Sequence, residues 1–103
     1  MLNQIIAVGR LVNDPIVEED ESEKKVSEIT LAIPRNFKNS EGEYDKDIIP
    51  VTLWGGIAEN TCKYCKEGDL VAVKGRLQRL EGNTLQVVAE KINFLSSKKE
   101  NEK

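Results

Sequence analysis

"IIPVTLWGG", residues Ile48–Gly56, carries the only tryptophan of the chain. Successive side chains of a strand point to opposite sides, so Ile49, Val51 and Leu53 share one face while Ile48, Pro50, Thr52 and Trp54 share the other. The first face is a core face. The second holds a large flat ring among small or polar neighbours. Two glycines end the strand. In the segment that follows, "IAENTCKYCK" (Ile57–Lys66), Ala58, Cys62 and Cys65 fall together at helical spacing with Ile57, Thr61 and Tyr64 beside them. Gly68 supplies a stop, which predicts one short helix.

Outward from this stretch, apolar alternation dominates and no long helical periodicity appears. A first strand is expected from about Asn3 to Val12, with Gly9 marking a bulge or bend and "NDP" (Asn13–Pro15) a turn. A second, about Val26–Arg35, puts Ile29, Leu31 and Ile33 on one face, and the loop "NSEGE" leads into the third, about Asp47–Trp54. After the helix, "DLVAVKGRLQR" (Asp69–Arg79) turns Val71, Val73 and Leu77 inward and Ala72, Lys74, Arg76 and Gln78 outward. "EGN" (Glu81–Asn83) reads as a tight hairpin turn. The fifth strand, about Thr84–Leu95, starts with Leu85, Val87 and Ala89 on one face and switches phase to Ile92 and Phe94, which predicts a bulge. No internal repeat or linker is evident. Five short antiparallel strands with one helix between the third and fourth bury enough apolar surface only if the sheet closes. The expected fold is therefore all-β: a five-stranded OB-fold barrel with the helix plugging its open end. Residues 1–96 form that domain in this reading, and 97–103 a short frayed tail.

Composition narrows the function. The 103 residues suit one domain. With 39% hydrophobic and 32% charged residues, the chain has no stretch near the roughly 20 apolar residues of a membrane helix. The N-terminus enters an apolar strand without the basic lead of a secretory signal, and the expected location is cytoplasmic, at the nucleoid. Net charge is −3, but five of the 18 acids lie in "EEDESE" (Glu18–Glu23), and the rest of the chain has 13 acids against 15 bases. An acidic loop is attached to a mildly basic body, and local potential rather than total charge decides whether a polyanion binds. The lone "CKYC" (Cys62–Cys65) supplies two of the four ligands zinc needs and has no βαβ setting for redox work, so it reads as two reduced thiols and no metal is expected. The chain has no histidine and no "GxxxxGK[ST]" phosphate loop, which argues for a binder rather than an enzyme, with no cofactor.

The outward face of strands two and three is the usual ligand platform of this fold. Trp54 lands there, able to stack on a nucleobase of any identity, with Phe37 just beyond strand two. Arg35, Lys38, Lys74, Arg76 and Arg79 lie around them, cations for phosphates beside rings for bases. Each residue also has a plainer reading: Trp54 as core or subunit contact, Phe37 as a lid, the cations as a solvated strand face.

Taken in order, these pieces resemble the bacterial single-stranded DNA-binding protein family over nearly the whole length. "NQIIAVGRLVNDP" is similar to the family's opening strand and turn, "ITLAIPRNF" to its second strand, and "DIIPVTLWGGIAEN" to its third strand and helix start. "YCKEGDLVAVKGRL" and "VVAEKINFL" resemble the remainder. The resemblance implies sequence-independent coating of single-stranded DNA in replication, repair and recombination. Trp54 and Phe37 would stack bases, Ile48 would occupy a third stacking position, and Arg10, Arg35, Lys38, Lys74, Arg76 and Arg79 would meet phosphates. Ile48 and Leu80 stand where some members place further tryptophans, which implies weaker binding. The resemblance also implies a homotetramer with strand one at a subunit contact, a dimer being the alternative. The ending "KKENEK" lacks the family's acidic tip, so tail-mediated recruitment of replication proteins is not expected. Two other readings remain open: a primosomal replication-restart protein of the PriB type, and an OB-fold protein-interaction module using Trp54 as a hot spot.

Overall fold

The computed structural model describes residues 1–97, so nearly all of the expected tail lies outside the described residues. The elements are β1 (Ile5–Leu11), β2 (Glu18–Glu19), β3 (Lys25–Lys38), β4 (Tyr44–Trp54), α1 (Gly55–Tyr64), β5 (Leu70–Arg79) and β6 (Leu85–Ser96). They form one sheet in the order β1-β5-β6-β4-β3-β2, and β1 also pairs with β3. That second pairing closes the barrel. Arg10 and Leu11 of β1 lie opposite Ala32 and Leu31 of β3, while Ile5 to Arg10 run antiparallel to Gly75 to Leu70 of β5. The last seam, β4 against β6, is parallel, with Val51 opposite Val87 and Thr52 opposite Val88. This is the OB-fold, as expected.

Inside the barrel, Leu11, Ile29, Leu31, Val51, Leu53, Val71 and Val73 are buried, with Ala58 and Cys65 brought in by α1. The helix packs on β3, β4 and β6 and covers one end. Its start lies two residues earlier than expected. Gly55 takes φ +62°, a left-handed conformation that costs glycine little, so the chain passes from extended Trp54 straight into the helix. Gly68 does not stop α1, which ends at Tyr64; its N–H instead donates to the Leu11 carbonyl (2.8 Å) and ties the following turn to β1.

Other details also depart from expectation. Gly9 marks no bulge. A Cβ there would lie 2.7 Å from the Ala32 carbonyl oxygen, so this glycine permits the close approach of β1 to β3 at the barrel seam. Leu77 has the inward parity expected but sits past the barrel rim, where it is exposed. The bulge predicted in the fifth strand is present, between Lys74 opposite Lys91 and Gly75 opposite Ala89. The acidic segment contains a strand that sequence reading missed: Glu18 and Glu19 pair with Val26 and Lys25, and Lys25 bonds Glu19 (2.5 Å).

At the bulge, β5 and β6 approach so closely that a Cβ on Gly75 would collide with the Val88 carbonyl and lie 3.2 Å from Ala89 Cα. Gly75→Ala is predicted to destabilise the domain by about 1–3 kcal/mol, the usual penalty for overpacking against atoms that cannot yield. Urea denaturation of the two proteins checks this, and an unchanged midpoint would mean that the seam is looser than its geometry.

Candidate nucleic-acid interface

The interface is built on the outward row of β4. Val51 and Leu53 are inside, so Trp54 and Ile48 must be outside, and they are: Trp54 is 40% exposed and Ile48 58%. The partner strand continues the face, with Val26 opposite Trp54 and Ala32 opposite Ile48. The parity argument for Trp54 therefore holds.

Sequence reading stopped this row too early. β4 begins at Tyr44, and alternation carries the outward face through Lys46 to Tyr44, whose ring is 55% exposed. Tyr44 lies opposite Lys38, with the ammonium 5.9 Å from the ring centroid. Phe37 is 68% exposed next to this pair. A register shift in β3 between Pro34 and Lys38 reshapes that strand just where Arg35, Asn36 and Phe37 sit. From Tyr44 to Trp54 the row spans about 30 Å at roughly 3.3 Å per residue. Trp54 and Phe37 thus stand at opposite ends of one track, not side by side. The signal that could have found Tyr44 was present: counting back from Ile48 by twos reaches it.

The expected phosphate-binding cations separate into two groups. Lys38 and Lys74 carry no ion-pair partner among the described residues, and Lys74 sits opposite Lys91, a second cation that the sequence reading passed over. The arginines are engaged. Arg35 donates from Nε and Nη2 to Asp47 Oδ1 (3.1 and 2.8 Å). Arg76 lies 3.6 Å from Glu90 and donates to Gln78. Arg79 donates to the Gly82 carbonyl, and half-buried Arg10 donates to the Gly68 carbonyl (3.0 Å) in the turn before β5. Across the sheet, Arg10 lies opposite Ala32, which lies opposite Ile48, and it lines a hollow with Lys46, so it borders the middle of the β4 row.

Acids stand at both ends of the track. Glu18 pairs with Val26, which pairs with Trp54, so the acidic strand borders the tryptophan end. Its turn is ordered by Asp20, whose Oδ1 accepts from the Lys24 and Ser22 amides and the Ser22 hydroxyl; these bonds, the Lys24 amide first, hold its carboxyl below the usual range. The opposite end carries Arg35, Lys38 and Lys46 interleaved with Glu41, Glu43, Asp45 and Asp47.

The cysteines take no part. Both thiols are free, Cys62 donates weakly to Ser27 Oγ (3.6 Å), and burial, with Asp69 and Cys62 nearby, pushes the Cys65 thiol up, the opposite of activation. No helix among the described residues is long and apolar enough to cross a membrane.

A closed barrel with an exposed aromatic row and unpaired lysines on its open face falls in the class of OB-fold domains that bind extended polymers. The chain belongs to the family described as "Single-strand binding protein family", whose model matches residues 2–95. Single-stranded DNA-binding protein B of Bacillus subtilis (strain 168) is 40% identical over 106 aligned positions, covering 95% of this chain and 94% of that protein. Single-stranded DNA-binding protein 1 of Clostridium acetobutylicum is 39% identical, covering 96% and 98%. A longer relative, the single-stranded DNA-binding protein of Staphylococcus aureus (strain MRSA252), is 40% identical over 99% of this chain and 70% of its own length.

The hydrogen bonds from Arg35 hold the Asp47 carboxyl below its ordinary range, so the pair persists at neutral pH and opens only as acid protonates Asp47 below that range. Asp47→Asn at neutral pH is predicted to release the Arg35 charge. Oligo-dT binding then tightens a few-fold and the slope of log K against log salt steepens by about one unit. A fluorescence titration at three salt concentrations checks it, and an unchanged slope would place Arg35 off the phosphate path.

Proposed function

We propose that this protein binds single-stranded DNA without reading a sequence motif and protects it during replication, repair and recombination. Bases stack on Trp54 and Phe37 and rest on Ile48, while Lys38 and Lys74 meet phosphates directly. Arg35, Arg76 and Arg79 contribute where a phosphate outcompetes their present partners. Tyr44 and Lys91 join this set. Arg10, half-buried beside Lys46, contributes where a phosphate outcompetes the Gly68 carbonyl. The observation that carries this reading is the exposed indole on the outward row of β4, in a chain whose relatives bear the name single-stranded DNA-binding protein. That shared name favours this reading over the PriB type and over a protein-docking module.

The working unit is a homotetramer. Support comes from β1, whose outward residues Ile6 and Val8 are exposed apolar side chains on a barrel strand. Val8 also lines a hollow of about 350 Å³ with Ala32, Pro34 and Leu70, bordered by Arg10 and Lys46. A self-complementary contact would cover such a face.

Titration with oligo-dT tests the function. Tryptophan emission is predicted to be quenched, and log K to fall with log salt by about 0.7 per phosphate neutralised. Trp54→Ala is predicted to cost about 1–3 kcal/mol of binding. Unchanged emission at saturating DNA would remove Trp54 from the interface, and native mass measured on the same samples decides between four copies and two.

A further inference from the structure

β5 and β6 outrun the strands on either side of them. Main-chain pairing of β1 with β5 ends at Ile5 opposite Gly75, and that of β4 with β6 ends at Val51 opposite Val87. Beyond those points β5 and β6 pair only with each other, out to Arg79 opposite Leu85, so residues 77–86 form a two-stranded ribbon standing off the barrel. A ribbon of two strands is marginal alone, and its own hydrogen bonds do not fix its direction relative to the barrel.

Two side chains take over where the flanking strands stop. On the β6 side, the Gln86 amide donates to the Thr52 hydroxyl of β4 (2.9 Å). On the β5 side, two residues out from Ile5 opposite Gly75, Asn3 comes level with Leu77. The Asn3 backbone lies outside β1, but its side chain does the work of a strand: Nδ2 donates to the Leu77 carbonyl (2.8 Å) and Oδ1 accepts from the Leu77 amide (2.9 Å). A carboxamide carries a donor and an acceptor in one plane, as a peptide group does, and neither alanine nor an ionised carboxylate replaces both. These bonds are exposed, so water can take their place at little cost to the fold. What is lost with them is the aim of the ribbon.

We propose that Asn3 is a positioning residue for DNA binding: its side chain, as the last rung of the β1–β5 ladder, aims the ribbon so that Arg79 meets a phosphate of the bound strand. Arg79 is the only cation among residues 77–86. The inference rests on the single-stranded DNA reading given above and adds to it a residue that itself touches no DNA. Arg79 lies two residues beyond the clamp, and its guanidinium is held to the Gly82 carbonyl inside the ribbon (3.3 Å), so the charge travels with the ribbon. Lys74 lies within the paired barrel, opposite Ile6 and Lys91, and does not depend on the clamp.

The test measures oligo-dT binding at several salt concentrations for the wild type, Asn3→Ala, Arg79→Ala and the double variant, with Phe37→Ala, alone and combined with Asn3→Ala, as the reference pair. Asn3→Ala is expected to weaken binding about threefold at low salt and to flatten the slope of log K against log salt by about 0.7, the share of one phosphate. Adding Asn3→Ala to Arg79→Ala is expected to change neither quantity. Adding it to Phe37→Ala, at the other end of the track from Thr52, is expected to cost the full threefold. Hydrogen exchange on the unbound proteins gives the structural readout: the Leu77 amide is expected to exchange faster in Asn3→Ala while the amides of β3 keep their rates. Equal losses in the Arg79→Ala and Phe37→Ala backgrounds, an affinity unchanged by Asn3→Ala, or loss of the whole fold in that variant would overturn the inference and leave the DNA-binding reading in place. If the wild type does not bind oligo-dT at low salt, the functional reading itself falls, and this inference with it.

Discussion

The pairing of β3 with β4 sets where every other functional group lies. Ile29 faces Val51 across the seam, and Leu31 faces Ile49; with Leu53 these side chains give the register its energy, since burying each large aliphatic is worth about 1.5–3 kcal/mol. A slip of one residue would turn all of them to solvent and bring Trp54, Ile48 and Tyr44 inside. The core thus orients the indole without touching it. Closure of the barrel then makes the choice permanent: β1 pairs on both sides, and its approach to β3 depends on the missing Cβ of Gly9.

On that fixed face the charges are arranged unevenly. Cations and acids alternate at the hairpin joining β3 to β4, cations gather on the β5–β6 pair, and acids border Trp54 through β2 and Glu28. Several arginines are held by carboxylates or carbonyls, so in the proposed binding mode a phosphate there would replace an existing bond and contribute less than one meeting an unpaired charge. In the binding mode proposed above, Ile48 in the middle of the aromatic row leaves the grip to both ends of the track. Such a surface suits a protein that covers a strand and releases it again.

The alternation of "IIPVTLW" and the single helical segment after two glycines were enough to place five strands, the helix and the outward face of Trp54. These features come from local periodicity, which a single sequence displays directly. What was hidden depends on partners distant in sequence. Gly9 looked like a bulge because its real reason, a carbonyl on β3, lies over twenty residues away. β2 was invisible because two glutamates have no strand pattern until Lys25 and Val26 accept them. Arg35 read as a phosphate contact because Asp47 joins it only across the hairpin. Tyr44 was different: the periodicity reached it, but the strand was ended three residues too soon.

Photocrosslinking with oligomers carrying 5-iodo-deoxyuridine, followed by mapping of the modified peptides, tests the central claim most directly, because it reports which ring touches a base. The chain provides its own control in Tyr64, an aromatic 66% exposed on α1, away from the β4 row. The predicted result is adducts on Trp54, Phe37 and Tyr44 with none on Tyr64. Adducts concentrated on Tyr64, with the β4 row unmodified at saturating DNA, would contradict the account.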